Sequence, residues 1–225
     1  MKLHYHPVST TSRSITFFCA EENIPLDLVV VDLMTGEHVK EPFSNLNPSR
    51  QVPVLEDDGM VLTECSAILK YIAEKVGSPA YPKDLKERAK VNEIMDWFNT
   101  NLYREYGYNL VYPQVYPHHK REPADANKVI VGWGKNKSEF WLGVLENHWL
   151  AGKKKFLVGS RFTIADCLAA AILSCGDLVG VAFGKFPNIE DYMRGMRARP
   201  GWKKSSEVHD GFAASLKGQV FEAIL

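Results

Sequence analysis

Over the first 76 residues, short apolar runs alternate with segments whose apolar side chains recur at helical spacing. Four runs predict β-strands, at residues 3–6, 28–31, 52–55 and 60–62. The second run is β-branched, which is typical of a strand buried on both faces. The polar turn at 56–59 joins the last two runs as a hairpin. Helices are predicted over 12–23 and 64–76, so the predicted order is β-α-β, a loop, then β-β-α.

After residue 76 the pattern changes, because no strand-like alternation follows. Gly, Ser and Pro are concentrated in residues 77–82, a composition typical of a linker. Long aromatic-rich helical patterns follow over 85–112 and 125–150, and further helices are predicted from Thr163, Pro187 and Lys204. The sequence therefore predicts an α+β domain and an all-α helical domain, with boundaries at 1–76, 77–86 for the linker and 87–225.

Charge and composition narrow the class of protein. The 225 residues hold 27 Lys and Arg against 27 Asp and Glu, so the formal net charge is zero. Dedicated nucleic-acid-binding proteins usually carry a basic excess, so no nucleic-acid partner is expected. The first 76 residues carry six basic and eleven acidic side chains, −5, and the remainder carries 21 and 16, +5, which agrees with two differently built parts.

The cysteines and the apolar stretches indicate the compartment. None of the four cysteines forms a Cys-x-x-Cys pair or lies at metal-ligand spacing from a histidine, so no metal is expected and the cysteines are interpreted as small apolar residues. The first residues lack the apolar run of a signal peptide. The longest apolar stretch, 167–176, is too short to span a bilayer. We therefore expect a soluble, cytoplasmic protein without a membrane partner.

Hydroxyl side chains are concentrated just before the first predicted helix, in the Ser-Thr-Thr-Ser-Arg segment at 9–13. Ser and Thr are favoured as N-caps because their oxygens accept hydrogen bonds from free helix N–H groups. Capping uses one or two hydroxyls, and the others would lie at a helix end that favours anions. At this point capping and anion binding both stay open.

Two further segments carry candidate chemistry. Pro53, at the start of a predicted strand and after a long loop, indicates an enforced bend, for which a cis peptide bond is one option. Thr63 or Glu64 caps the next helix, and the N–H groups of that helix end and the Ser66 hydroxyl can receive an anion. The Glu64 carboxylate can receive an ammonium group. A site with both features suits a zwitterion.

In their order and spacing, these segments resemble the cytosolic glutathione transferases, most closely the serine-type theta and delta classes. The resemblance covers nearly the whole chain and is carried by residues 9–13, 36–38, 47–55, 64–68 and 159–166. The last segment matches the N-capping box of that family, with Thr163 and Asp166 as its two members. The resemblance implies a thioredoxin-like first domain followed by an all-helical second domain.

The resemblance also implies roles for individual residues. Ser9 matches the hydroxyl that hydrogen-bonds the glutathione sulfur, and the implied glutathione contacts are His38, Arg50, Gln51, Val52, Pro53, Glu64, Cys65 and Ser66. Val52 would pair its backbone with the cysteinyl part, next to Pro53 as the cis-proline of the family. Glu64 and its neighbour would hold the γ-glutamyl end, and the first three contacts would hold the glycine end. Cys65 replaces the usual serine, which predicts weaker glutathione binding because a thiol is a poor donor.

The implied function is conjugation of the glutathione thiolate to small apolar electrophiles, as in detoxification, with Ser9 as an electrostatic stabiliser. Tyr103, Tyr106 and Tyr112 are candidates for contact with the second substrate, although core packing explains each equally well. Residues 118 and 119, both His, are interpreted as a solvated loop. The alternative is a non-catalytic relative that serves as a binding or regulatory module. A homodimer is expected.

Overall fold

The computed structural model describes residues 1–225. Its first part contains a mixed four-stranded sheet made of β1 (Lys2–Tyr5), β2 (Asp27–Val30), β3 (Val54–Asp57) and β4 (Met60–Leu62). The strand order is β2-β1-β3-β4, with β1 parallel to β2 and the other two pairings antiparallel. Leu3 on β1 lies opposite both Leu28 and Leu55, which places its side chain in the middle of the sheet, fully buried.

The helices of this part confirm the predicted order. They are α1 (Thr10–Glu21), the 3₁₀-helix Glu37–Val39, the short α2 (Phe43–Leu46) and α3 (Cys65–Lys75). A parallel pair of strands needs a crossover, and α1 supplies it between β1 and β2. The apolar faces of α1 and α3 pack on one another, with Ile15, Phe18 and Ile68 fully buried. Helix α1 begins two residues before the predicted position, within the hydroxyl-rich segment.

The prediction that the second strand is buried on both faces is wrong. β2 is an edge strand with β1 as its single partner, and Leu28 and Val30 are 46% and 53% exposed. β-Branched residues fit the pleated backbone of an edge strand as well as that of a central strand. Composition therefore predicted the strand but not the burial of its two faces.

The second part is entirely helical. Its α-helices are α4 (Leu85–Trp97), α5 (Tyr112–Val115), α6 (Ala124–Val144), α7 (Ile164–Ser174), α8 (Pro187–Arg197) and α9 (Pro200–Ser215). Between α4 and α5 the chain continues in π-helical turns at Phe98–Leu102 and Arg104–Val111. Shorter elements are the π-helical turn Leu145–Trp149 and the 3₁₀-helices Pro117–His119 and Cys175–Val179. Residues 76–84 connect α3 to α4; the domain boundaries at 76 and 87 stay predictions.

Helix α7 is the centre of the helical part, and each of its residues is buried. Thr163 and Asp166 form the capping box at its start, and the Thr163 N–H donates to the Asp166 carboxylate at 2.8 Å. Arg13 reaches from α1 to the other end of α7, where it donates to the Ser174 hydroxyl at 2.8 Å. This contact holds the start of α1 against the helical part. The helices include none with the length and apolar character needed to cross a membrane.

Candidate functional site

A cavity of about 470 Å³ lies between the two parts of the chain. One wall comes from the start of α1, the 3₁₀-helix Glu37–Val39, the loop before β3 and the start of α3. It includes Ser9, Thr10, Thr11, His38, Arg50, Gln51, Val52, Pro53, Glu64 and Cys65. The opposite wall is aromatic and includes Tyr103, Tyr108, Tyr112, Tyr116, His118 and His119. The cavity therefore brings together most of the residues predicted from the sequence, with the exceptions of Ser66 and Tyr106.

Ser9 combines the two interpretations that the sequence left open. It is the N-cap of α1, and its oxygen accepts a hydrogen bond from the Ser12 N–H at 3.3 Å. The same hydroxyl lines the cavity and lies 3.2 Å from the Thr11 hydroxyl. Ser12 is fully buried, and its oxygen accepts from the His6 N–H at 3.4 Å. The start of α1 thus presents hydroxyls and a positive helix end to the cavity.

The loop before β3 turns its backbone toward the cavity. The peptide bond between Val52 and Pro53 is cis, as the sequence allowed. The Val52 carbonyl accepts from the Thr11 hydroxyl at 3.2 Å, which joins this loop to α1. Asn47 shapes the loop from within, because its side-chain amide donates to the Gln51 carbonyl at 2.7 Å. Sequence reasoning did not assign this role to Asn47, although an Asn before a Pro-Ser turn is a recognised signal for one.

The start of α3 contributes a carboxylate and a buried thiol. Glu64 is the N-cap residue with a left-handed φ of 66°, and its exposed side chain caps no helix N–H. Burial, followed by the nearby Glu64 charge, raises the pKa of the Cys65 thiol to about 12. Cys65 is therefore a neutral thiol at neutral pH. Ser66 is half-buried and lies outside the cavity wall, which differs from its predicted contact with glutathione.

The aromatic wall is tied to α1 by hydroxyl groups. The Tyr103 and Tyr112 hydroxyls lie 2.7 Å apart, and the Tyr112 hydroxyl donates to Thr10 Oγ1 at 2.8 Å. Burial raises the pKa of both phenols well above the ordinary value, so both are neutral at neutral pH. Tyr106 lies elsewhere: it is fully buried and donates to the Leu173 carbonyl at 3.0 Å, so its position is that of a core residue and not of a substrate contact.

His118 and His119 form part of this wall. Both lie on the 3₁₀-helix Pro117–His119, where His118 is exposed, in agreement with a solvated loop, and His119 is half-buried. The His119 ring centre lies 5.2 Å from the Tyr112 ring centre. The His118 and His38 ring centres lie 6.5 Å apart across the cavity. Burial, followed by the His118 and Arg121 charges, lowers the pKa of His119 to about 4. The tyrosines at 108, 112 and 116, spaced four apart, were a sequence signal for an aromatic face that runs into the two histidines.

Comparisons with known proteins agree on one family. The sequence-family model described as "Glutathione S-transferase, N-terminal domain" matches residues 3–80. A second family model, described as "Glutathione S-transferase, C-terminal domain", matches residues 137–200. Human glutathione S-transferase theta-1 is 30% identical over 213 residues, which cover 93% of this chain and 88% of the relative.

Solved structures give the same result. Human glutathione transferase theta-2, in complex with glutathione and an unknown ligand, superposes with a TM-score of 0.83 at 29% identity, covering 96% of this chain and 88% of that one. A delta-class glutathione transferase of Nilaparvata lugens gives a TM-score of 0.77 at 30% identity, covering 96% and 98%.

Proposed function

Because the chain belongs to the glutathione S-transferase family and is a glutathione transferase, we propose that it conjugates glutathione to small apolar electrophiles with Ser9 stabilising the thiolate. One observation carries this proposal: the Ser9 hydroxyl caps α1 and at the same time faces a cavity of about 470 Å³ whose opposite wall is aromatic. A polar, anion-favouring wall faces an apolar one, as a charged nucleophile and an apolar partner require.

Glutathione would lie along the wall of the first part. Its cysteinyl backbone would pair with Val52 next to the cis Pro53, its ammonium group with Glu64, and its γ-glutamyl carboxylate with the N–H groups at the start of α3. The glycine carboxylate would lie near His38, Arg50 and Gln51. His38 supports this placement, because its Nδ1 is buried without a hydrogen-bond partner in the chain.

The chemistry requires a deprotonated sulfur. A free thiol has a pKa near ~8.5, so only a few per cent is thiolate at neutral pH. Hydrogen bonds and the helix end favour the charged form and lower that pKa. The thiolate then attacks an electrophilic carbon of the second substrate: a C–S bond forms, and the leaving group departs with the electron pair of its own bond to that carbon.

The second substrate would lie on the aromatic wall. The hydroxyls of Tyr103 and Tyr112 already take part in hydrogen bonds, so these side chains offer ring surface to a ligand. Tyr108 and Tyr116, which sequence reasoning did not select, line the same wall and extend it. This composition favours an apolar or aromatic electrophile.

We also propose a homodimer, located in the cytoplasm. Val129, Trp133 and Phe140 lie four and seven residues apart on one face of α6 and are 72%, 54% and 60% exposed. Exposed apolar side chains that share one helix face are typical of an association surface. Sedimentation of the wild type should give the mass of a dimer, twice the 25.4 kDa of one chain. Trp133→Glu should shift the protein toward the monomer mass of 25.4 kDa. The buried free cysteines agree with a reducing compartment, which cell fractionation tests.

The proposed function is tested by binding first and by turnover second. Calorimetry should detect glutathione binding, and a panel of small electrophiles should contain at least one that the protein conjugates. Ser9→Ala should lose most of that turnover, whereas Ser215→Ala, the same change at the end of α9 and outside the cavity wall, should keep it. Absence of glutathione binding at millimolar concentration would contradict the proposal.

A further inference from the structure

The hydroxyl hydrogens at the start of α1 can be counted one by one, because each hydroxyl has a single hydrogen to donate. Thr11 donates its hydrogen to the Val52 carbonyl. The 3.2 Å contact between Ser9 and Thr11 must therefore use the hydrogen of Ser9. Before Ser9 can donate to a ligand, it has to release Thr11.

Thr10, unlike Ser9, only accepts a hydrogen bond from its protein neighbour. Tyr112 donates its only hydrogen to Thr10 Oγ1 at 2.8 Å, so the 2.7 Å contact between Tyr103 and Tyr112 must use the hydrogen of Tyr103. The direction of this chain is Tyr103 to Tyr112 to Thr10. Thr10 receives a hydrogen bond, and its Oγ1 donates none to another protein atom.

The surroundings strengthen this free donor. Thr10, Tyr103 and Tyr112 are 4%, 8% and 7% exposed, so water competes little for their hydroxyls. A hydroxyl that accepts a hydrogen bond becomes a better donor, by roughly 10–30% per bond. Thr10 is also the first residue of α1, at the helix end that carries the free N–H groups, and it lines the same cavity as Ser9.

We propose that Thr10 donates a second hydrogen bond to the glutathione sulfur, beside Ser9. This proposal rests on the proposed function, the conjugation of glutathione. Tyr112 and Tyr103 act through Thr10 and are positioning residues: they fix its hydroxyl so that the hydrogen faces the cavity. The sulfur would then lie between two hydroxyl donors, one of which is free before the ligand arrives. This separates the role of Thr10 from that of Thr11, whose hydrogen is already used by Val52.

The test is the pKa of the thiol of bound glutathione, followed by thiolate absorbance during a pH titration of the complex. Thr10→Val keeps the branched shape but removes the donor, and should raise this pKa by about one, which is a ten-fold loss of thiolate. Thr10→Ser keeps the donor and should match the wild type. Tyr112→Phe should raise the pKa in the same direction by less, about 0.3, because it removes only the polarising bond.

Tyr106→Phe is the matched control for the tyrosine variant. It deletes one buried hydroxyl hydrogen bond, as Tyr112→Phe does, but lies in the helical core outside the cavity. It should lower the melting temperature and leave the thiol pKa unchanged. A merely structural role for Tyr112 would give the same result as this control.

The inference is overturned if Thr10→Val and Tyr112→Phe leave the thiol pKa at the wild-type value while Ser9→Ala raises it, and the proposed function then stands. If the wild type binds no glutathione, the proposed function itself fails, and the inference with it. Because Thr10→Val also leaves the Tyr112 hydroxyl without an acceptor, its fold is checked by its melting temperature. Should that variant unfold, the comparison of Tyr112→Phe with Tyr106→Phe decides.

Discussion

Ser9 has two roles in this structure, and they can be separated by two substitutions of the same residue. Ser9→Ala removes both the cap of α1 and the hydroxyl that faces the cavity. Ser9→Gly also removes the hydroxyl, but glycine at an N-cap costs only a few tenths of a kcal/mol relative to serine, because it leaves the helix end open to water. The two variants should therefore differ in stability and agree in chemistry.

The structure indicates how much stability and how much turnover Ser9→Ala should lose. The capping bond from the Ser12 N–H to Ser9 is long, at 3.3 Å, so Ser9→Ala should cost about 1 kcal/mol of the free energy of unfolding, within the usual range for caps. In a chain of this length that cost lowers the melting temperature by roughly 2–4 °C. Loss of one donor at an anion site can cost up to ~10²–10³ in turnover, and the first-turn N–H groups of α1 should retain part of the stabilisation.

The assay pairs urea unfolding with steady-state turnover of one electrophile from the panel. We expect both Ser9 variants to lose about the same ten- to hundred-fold in kcat, with the Michaelis constant for glutathione little changed, since the bond strengthens mainly when the sulfur ionises. Recovery of turnover by Ser9→Gly in proportion to its stability would contradict a role of the hydroxyl in the chemistry. The hydroxyl would then matter only as a cap.

Other predictions test the remaining parts of the site and the fold. Glu64→Gln should raise the Michaelis constant for glutathione about five-fold, near 1 kcal/mol, because Glu64 is exposed and its charge is partly screened; Glu207→Gln on α9 is the matched control. Cys65→Ser should hold or improve glutathione affinity, and a loss of activity would assign this thiol a chemical role. Thr163→Ala should cost about 1 kcal/mol of stability without changing glutathione affinity, and unchanged unfolding in urea would contradict its role as a cap. Since the pKa of His119 is about 4 in the folded protein and about 6.5 when unfolded, stability should fall as the pH drops through that window, and His119→Gln should flatten this dependence in urea unfolding.

Most of the fold could be predicted because each element carries a local signal. The apolar runs gave the strands, helical spacing gave α1 and α3, and the capping box at Thr163 and Asp166 marked the start of α7. The burial of β2 could not be predicted, because it depends on the elements that pack against the strand and not on the strand's own sequence.

The aromatic wall shows the limit of sequence reasoning most clearly. Ordinary helical spacing places Tyr106 near the face of Tyr103, but π-helical turns run through this segment and place residues five apart on one face. Tyr108 therefore joins Tyr103, with ring centres 5.3 Å apart, and Tyr106 turns into the core. Gly107 permits this arrangement, since a Cβ there would lie 2.6 Å from the Tyr103 ring.

The roles of the hydroxyls in residues 9–12 also required the structure. All four side chains can cap or donate, and the sequence places them within one helical turn. Their partners come from distant segments: Thr11 bonds to Val52, and Thr10 bonds to Tyr112. Such long-range partners follow from how α1 packs between the two parts of the chain, which no local pattern reports.

The role of Ser9 is tested most directly by the pKa of the glutathione thiol when it is bound to the wild-type protein and to Ser9→Ala. We expect the wild type to lower this pKa by at least one from the free value of ~8.5. Ser9→Ala should return it part of the way, because the start of α1 and its other donors still stabilise the thiolate. A bound thiol that titrates like free glutathione in the wild type, or that titrates identically in both proteins, would contradict the assignment of Ser9 as the stabiliser of the thiolate.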